Sequence, residues 1–352
     1  MKKILWLALV FFLPLASLSA AETNYKFGFL SAGLDDSNFE YLDEVNAGWL
    51  RPHPGPAVWD MIQNEEGAEY DWDFMDETVT NIEDNNIKML ITIWPFADWD
   101  QEDRSNASSC EVSENDEFLP NEEATKKGRM EYLPHYRCNP HDWTAYTNWV
   151  TAMVERYDGD GVNDMPDLQY PIKHWEIMNE PDLGVSDELT FYKQDEDAYY
   201  LLLKRTHDAV AAADSEAKTL IAGAAGGNSQ FLGFYRHLFH KHSNAKQYFD
   251  IANVHCISSN NIGSFNVRPY KAMLADYGIK KSIWVTEAQA IISDDPEANY
   301  LQTKSSTKKA LSLGAKKIFY TQYAFTSVNA EQTDDDLTYA INKYKEIIAE
   351  ND

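Results

Sequence analysis

The chain has 352 residues, with 57 Asp and Glu against 30 Lys and Arg, and a formal charge of −27. That charge excludes nucleic acid and an anionic membrane surface as partners, because both repel it at long range. Its 44% hydrophobic and 13% aromatic residues supply a large core, which a disordered acidic tail lacks.

The first 21 residues read as an export signal. Lys2 and Lys3 precede an apolar run over 4–18, and Ser19-Ala20-Ala21 supplies small residues for cleavage. The run is too short for a membrane span of about 20 residues, and no Cys follows it to carry a lipid anchor. Residues 22–352 are then the working domain, secreted or periplasmic, without a membrane anchor. In an oxidising compartment Cys110 and Cys138, which share one polar stretch, are expected to pair, stabilising by about 3–4 kcal/mol in the chain-entropy model. Cys256 lies in the apolar run 251–257 and reads as a buried free thiol.

Short apolar runs bounded by Gly, Pro, Asn or Asp predict strands at 25–30, 47–51, 88–94, 172–178, 219–223, 251–255, 282–286 and 317–322. Amphipathic segments predict helices at 37–45, 74–85, 142–157, 195–213, 231–242, 269–277, 296–313 and 338–350. Asp295-Pro296-Glu297 supplies a cap, a first-turn Pro and an acid at the positive end of the dipole. Strands alternating with helices imply a parallel sheet, and eight of them close a barrel. A doubly wound open sheet would carry an early Gly-rich phosphate turn; Gly223-Ala-Ala-Gly226-Gly227 has neither that spacing nor that place. The fold class is therefore α/β, a single (β/α)8 TIM barrel in one domain, with a long loop after strand 3.

That loop covers 95–140. Unstructured stretches beyond about 15 residues are uncommon and tend to be functional, and segments after a barrel strand lie on the face where active sites form. The loop is expected to wall the cleft, pinned by the cysteine pair. Residues 158–164 place Asp158, Asp160 and Asp164 at alternating positions, a pattern suited to calcium. Asn163 and Gln169 stand where an EF-hand has Gly and Glu, so a solvated acidic turn is the preferred reading and a structural calcium the alternative. No cofactor is required.

Two glutamates end predicted strands, Glu180 after the fourth and Glu287 after the seventh. On different strands of one barrel they can face each other across its mouth. Acetal hydrolysis needs that arrangement: one carboxylic acid to protonate the leaving oxygen, one carboxylate to meet the oxocarbenium-like carbon. Arg51, His53 and His255 also end strands on that face, and the histidines fit substrate or catalytic-shell roles as well as structural ones. Trp94 and Trp99, at and beyond the end of the third strand, fit sugar-stacking platforms or core. Trp284 stands three residues before Glu287; strict alternation turns it away, so it reads as core.

Trp175-Glu-Ile-Met-Asn179-Glu180-Pro181 resembles the fourth-strand Asn-Glu-Pro signature of the clan A (β/α)8 glycoside hydrolases. Trp284-Val-Thr-Glu287 resembles their seventh-strand nucleophile segment, and the order and strand count agree across the mature chain. The resemblance implies a retaining mechanism with Glu180 as acid/base and Glu287 as nucleophile, Asn179 on the sugar 2-hydroxyl, and Arg51 holding the nucleophile charged. An ordinary buried ion pair of Arg51 with Glu176 is the alternative for that residue. Ile257 departs from the Tyr that many members carry two residues after the sixth-strand His. At the end of the eighth strand Tyr323 or Phe325 stands where many have Trp. The Arg-Pro-His segment is similar to families 5, 39 and 42 alike.

These readings converge on an exported retaining β-glycoside hydrolase with a neutral β-linked carbohydrate as partner. The loop at 95–140 carries eleven Asp and Glu against five Lys and Arg, which disfavours uronates. A transglycosylase using the same glutamates and an inactive carbohydrate-binding barrel are the alternatives; a metal-dependent barrel lacks ligand spacing.

Overall fold

The computed structural model describes residues 26–31, 42, 44–101, 107–120, 132–257, 262–321, 325 and 333–351. The expected leader, and most of the helix expected at 37–45, fall outside these residues.

Among the described residues nine parallel strands form one sheet: β1 (Phe27–Ser31), β2 (Trp49–Pro52), β3 (Lys88–Met89), β4 (Ile91–Ile93), β5 (His174–Ile177), β6 (Lys218–Ile221), β7 (Ile251–Cys256), β8 (Ser282–Ala288) and β9 (Ala315–Thr321). Their order is β3-β2-β1-β9-β8-β7-β6-β5-β4. The two ends of the sheet, β3 and β4, are consecutive in the chain and separated only at Leu90, whose N–H donates to Leu50 O at 3.0 Å. Together they fill the third strand position, so the sheet curls into a nearly closed barrel.

Helices α1 (Asp73–Asp84), α2 (Trp143–Arg156), α3 (Glu196–Ala213), α4 (Ser229–Lys241), α5 (Val267–Asp276), α6 (Pro296–Ser312) and α7 (Asp334–Asn351) pack outside it. Local chemistry fixes their starts. Asp142, Asp195, Asn228 and Asp295 each accept backbone N–H groups of the first turn, which satisfies donors the helix leaves unpaired. Helix α7 begins four residues before its expected start. Thr333 and Asp336 cap one another reciprocally, so Asp334, Asp335 and Asp336 are first-turn acids against the dipole rather than loop residues.

The aromatic surplus is mostly core. Trp59, Trp149, Trp175, Tyr146 and Tyr199 are among the largest fully buried side chains. Three helix tyrosines reach strand ends with their hydroxyls: Tyr199 donates to Ile177 O, Tyr235 to Ala222 O and Tyr344 to Thr321 O. Each ring fills the helix–sheet layer while its polar tip satisfies a carbonyl at the barrel mouth.

The long loop after β4 is held from within. Cys110 and Cys138 are bonded, and Cys256 is free and buried. Buried Arg137 donates to both carboxylate oxygens of Asp116 at 3.0 and 2.7 Å, and to the carbonyls of Pro134 and Thr190. Thr190 returns its N–H to Asp116 at 2.8 Å. This hub joins the loop to the segment after β5 and sets Phe118 and Phe191 at 5.6 Å from each other.

At the opposite end of the barrel, Asp158, Asp160 and Asp164 gather in the turn between α2 and β5, one oxygen of each within 4.8 Å of the others. Their carboxylates accept N–H groups of the same turn, from Asp160, Val162, Gly159 and Gly161. Among the described residues no helix is long and apolar enough to cross a membrane.

Candidate active site

Every second side chain of a barrel strand enters the interior, and the interior is layered. The lower layer is an apolar cluster of Trp49, Leu90, Leu220, Ile251, Trp284 and Phe319. His174 stacks on Trp284 at 5.0 Å. Gly28 leaves the space this layer needs, since a Cβ there would stand 2.7 Å from Phe319 and Trp49. Two residues further along the same strands the chemistry changes: Arg51 follows Trp49, Thr92 follows Leu90, Glu176 follows His174, Asn253 follows Ile251 and Thr286 follows Trp284. All five are buried.

Arg51 organises this polar layer. Its Nε donates to Glu176 Oε2 at 2.6 Å, Nη1 to Glu287 Oε1 at 2.6 Å and Nη2 to Asn179 Oδ1 at 2.8 Å. Glu176 also accepts from Thr92 at 2.7 Å and Asn253 at 2.5 Å. Burial alone would raise the Glu176 carboxyl, but Arg51, His255 and Thr92 outweigh it and hold it down to about 2. One fork thus makes both an ion pair with Glu176 and a contact with Glu287. Burial pushes the Glu287 carboxyl above the ordinary range, against the pull of His255 and Arg51.

His255 lies between the two glutamates, with Nδ1 2.8 Å from Glu180 Oε1 and 3.5 Å from Glu287 Oε1. Its Nε2 is 2.7 Å from Thr286 Oγ1, which donates onward to Asn253 Oδ1 at 2.9 Å. Burial would lower its pKa, yet Glu287, Glu176 and Glu180 raise it to about 10. His255 is thus an imidazolium donating at both nitrogens. Its ring fits only because Gly223 lies beside it: a Cβ there would stand 2.0 Å from Nε2.

The two glutamates reach the site by local departures from regular strand. The β8–β9 register shifts between Val285 and Ala288, and such a bulge re-aims a side chain. Thr286 and Glu287 consequently both face the polar layer. The expectation from strict alternation is corrected here: Trp284 is core, but it lies inside the barrel beneath Glu287 rather than turned away from it. Just after β5, Met178 and Glu180 have φ of 67° and 37°, a strained conformation for side-chain-bearing residues that concentrates at functional sites. Asp182 follows, buried, with both oxygens accepting the Ala225 N–H at 3.2 and 3.0 Å. Burial and the adjacent Glu180 push its carboxyl well above the ordinary range.

Of the residues singled out in the sequence, Arg51, Asn179, Glu180, His255 and Glu287 come together. One carboxylate oxygen from each of Glu180 and Glu287 lies within 4.8 Å of the other. His53 is half-buried beside them, its ring 5.9 Å from Trp94, 5.4 Å from Phe118 and 5.7 Å from Phe191. Burial and Arg51 push it well below the usual histidine range, so it is neutral. Trp94 is fully buried and donates to Pro54 O at 2.8 Å; it offers no open face for stacking. Trp99 packs edge-on against Trp59 at 4.9 Å. Tyr323 lies outside the described residues, and Phe325 is buried against Tyr344. Ile257 is 44% exposed.

Thr92, Asn253 and Thr286 escaped the sequence reading, and Glu176 entered it only as a partner for Arg51. Their signal was present: a polar residue inside an apolar strand run, in phase with inward neighbours. Glu180, His255 and Glu287 could group around a metal by distance alone. In this arrangement His255 is instead engaged by its neighbours, with Nδ1 2.8 Å from Glu180 Oε1 and Nε2 2.7 Å from Thr286 Oγ1.

No protein-family model and no curated protein matches the sequence. Solved structures do match. A glucosidase from Croceicoccus marinus superposes with a TM-score of 0.61 at 12% identity, over 93% of this chain and 67% of that one. A family 39 glycoside hydrolase from Bacteroides cellulosilyticus WH2 gives 0.52 at 14% identity over 93% of this chain, which spans only 63% of its length. An endo-1,4-β-mannanase from Rhizomucor miehei gives 0.54 at 13% identity, over 93% and 95% of the two chains. At such identity, what the chain shares with these glycoside hydrolases is the barrel fold.

Proposed function

We propose that the protein is an exported retaining β-glycoside hydrolase acting on a neutral β-linked oligo- or polysaccharide by double displacement. The observation that carries the reading is the approach of Glu180 and Glu287 to within 4.8 Å. Retaining enzymes hold their carboxyl groups about 5–5.5 Å apart, whereas inverting ones leave about 6.5–9.5 Å for a water.

In the first step Glu287 attacks the anomeric carbon, the bond to the leaving oxygen breaks, and Glu180 gives that oxygen its proton. In the second, water attacks the same carbon, Glu180 takes a proton from it, and the ester to Glu287 breaks. A charge count supports this sequence. With a proton on Glu180, the cations Arg51 and His255 balance Glu176 and Glu287. Esterification removes the charge of Glu287, and departure of the proton from Glu180 restores the balance. The cluster is neutral at both stages, which suits a buried site where net charge is costly.

Export is supported by the leader sequence and the Cys110–Cys138 bond, and a neutral substrate by the acidic excess of the loop over 95–140. The test is a pair of variants on aryl β-glycosides. Glu287→Ala should abolish turnover, with azide restoring some of it as a product of inverted configuration. Glu180→Ala should spare substrates with good leaving groups far more than poor ones. Wild-type rates in both variants would sink the assignment.

A further inference from the structure

The mouth of the barrel contains polar atoms that find no partner among the described residues. Asn179 Nδ2, His53 Nδ1 and Gln289 Nε2 are each buried and make no hydrogen bond with the described residues. Asn179 and His53 stand in the site described above; Gln289 has no role there, although its residue is only 6% exposed.

Its direction follows from the ladder. In the β7–β8 pairing His255 is opposite Glu287 and Cys256 opposite Ala288. The pairing continues past the named strand, since the Gln289 N–H donates to Cys256 O at 2.7 Å. From Glu287 onward the register is therefore regular, and side chains alternate. Glu287 faces the barrel mouth, Ala288 joins the hydrophobic core, and Gln289 returns to the side of Glu287.

A buried amide without a partner destabilises the free protein and calls for an explanation. The described residues supply no partner for this nitrogen, and a ligand that did so would bring an oxygen close to the nucleophile. A sugar hydroxyl both donates and accepts, so it satisfies an amide in either rotation. We propose that Gln289 is a specificity-determining residue whose amide hydrogen-bonds a hydroxyl of the sugar ring held over Glu287. This rests on the glycosidase reading and adds to it a contact on the nucleophile's side of the ring.

Gln289→Met keeps the shape and removes the amide, and two readouts should then move in opposite directions. The melting midpoint should rise by about 2–6 °C, because an unpartnered buried group has gone. At the same time kcat/KM on an aryl β-glycoside should fall about 10- to 100-fold. On a series of substrates deoxygenated at each ring position in turn, one member should lose the difference between wild type and Gln289→Met. A lower midpoint, or the same loss on every deoxy substrate, would mean a structural amide and would overturn the assignment of Gln289 alone. Wild-type protein inactive on every glycoside would overturn the glycosidase reading and this assignment with it.

Discussion

Replacing Arg51 with Lys tests the polar layer at its hub. The change keeps the charge and removes the fork, so a fold that merely needs a buried cation would tolerate it. The guanidinium serves three acceptors through three nitrogens, Glu176 and Glu287 at 2.6 Å and Asn179 at 2.8 Å. One ammonium cannot occupy all three directions, and two charge-assisted bonds at about 1.5–3 kcal/mol each are forfeited. The retained charge offsets part of that sum, which puts the expected loss near its lower end, about 3 kcal/mol. For a large domain this corresponds to roughly 6–12 °C in melting midpoint. Urea titration should show a lower midpoint with an unchanged slope, the sign of altered stability rather than altered compactness. Because Glu287 and Asn179 both lose their anchor, kcat/KM should fall by about 100-fold or more, the equivalent of roughly 2.7 kcal/mol. A variant with an unchanged urea midpoint and kcat/KM within threefold of wild type would refute the idea that this fork positions the site.

The remaining expectations concern pH. His255 is held up to about 10 from an ordinary 6.5, so its contribution to stability is full below pH 6.5 and is lost as the pH rises toward 10. Glu287 and Asp182, also raised, act in the same direction at lower pH. Glu176 is held down to about 2 from 4.5, so its contribution is present above pH 4.5 and disappears as the pH falls toward 2. Melting midpoints across pH should therefore decline on both sides, and His255→Gln should flatten the alkaline decline while shifting the acid one to higher pH, because His255 also helps hold Glu176 down. An alkaline limb identical in His255→Gln and wild type would contradict the assigned charge on His255.

Much of the barrel was legible because its strands are short apolar runs and its helices carry caps. The strand at 88–94 could not show its own break, because Leu90 continues the apolar run; only pairing across a closing sheet reveals it. Glu180 and Glu287 were legible because they stand in recognisable strand-end motifs. Thr92, Asn253 and Thr286 are unremarkable in isolation and gain meaning only when Trp49, His174 and Ile251 are known to face inward. The aim of Glu287 depends on a bulge that its sequence does not announce, and counting by twos misplaced Trp284 for that reason. Gly223 was read as a failed phosphate turn, when its purpose is room for a ring that arrives from the neighbouring strand.

The most direct test of the central proposal is the configuration of the first product. Proton NMR of a β-glycoside during the earliest turnovers should show the β-anomer formed first, with the α-anomer growing only at the rate of mutarotation. First appearance of the α-anomer would mean inversion, and would contradict a covalent ester on Glu287.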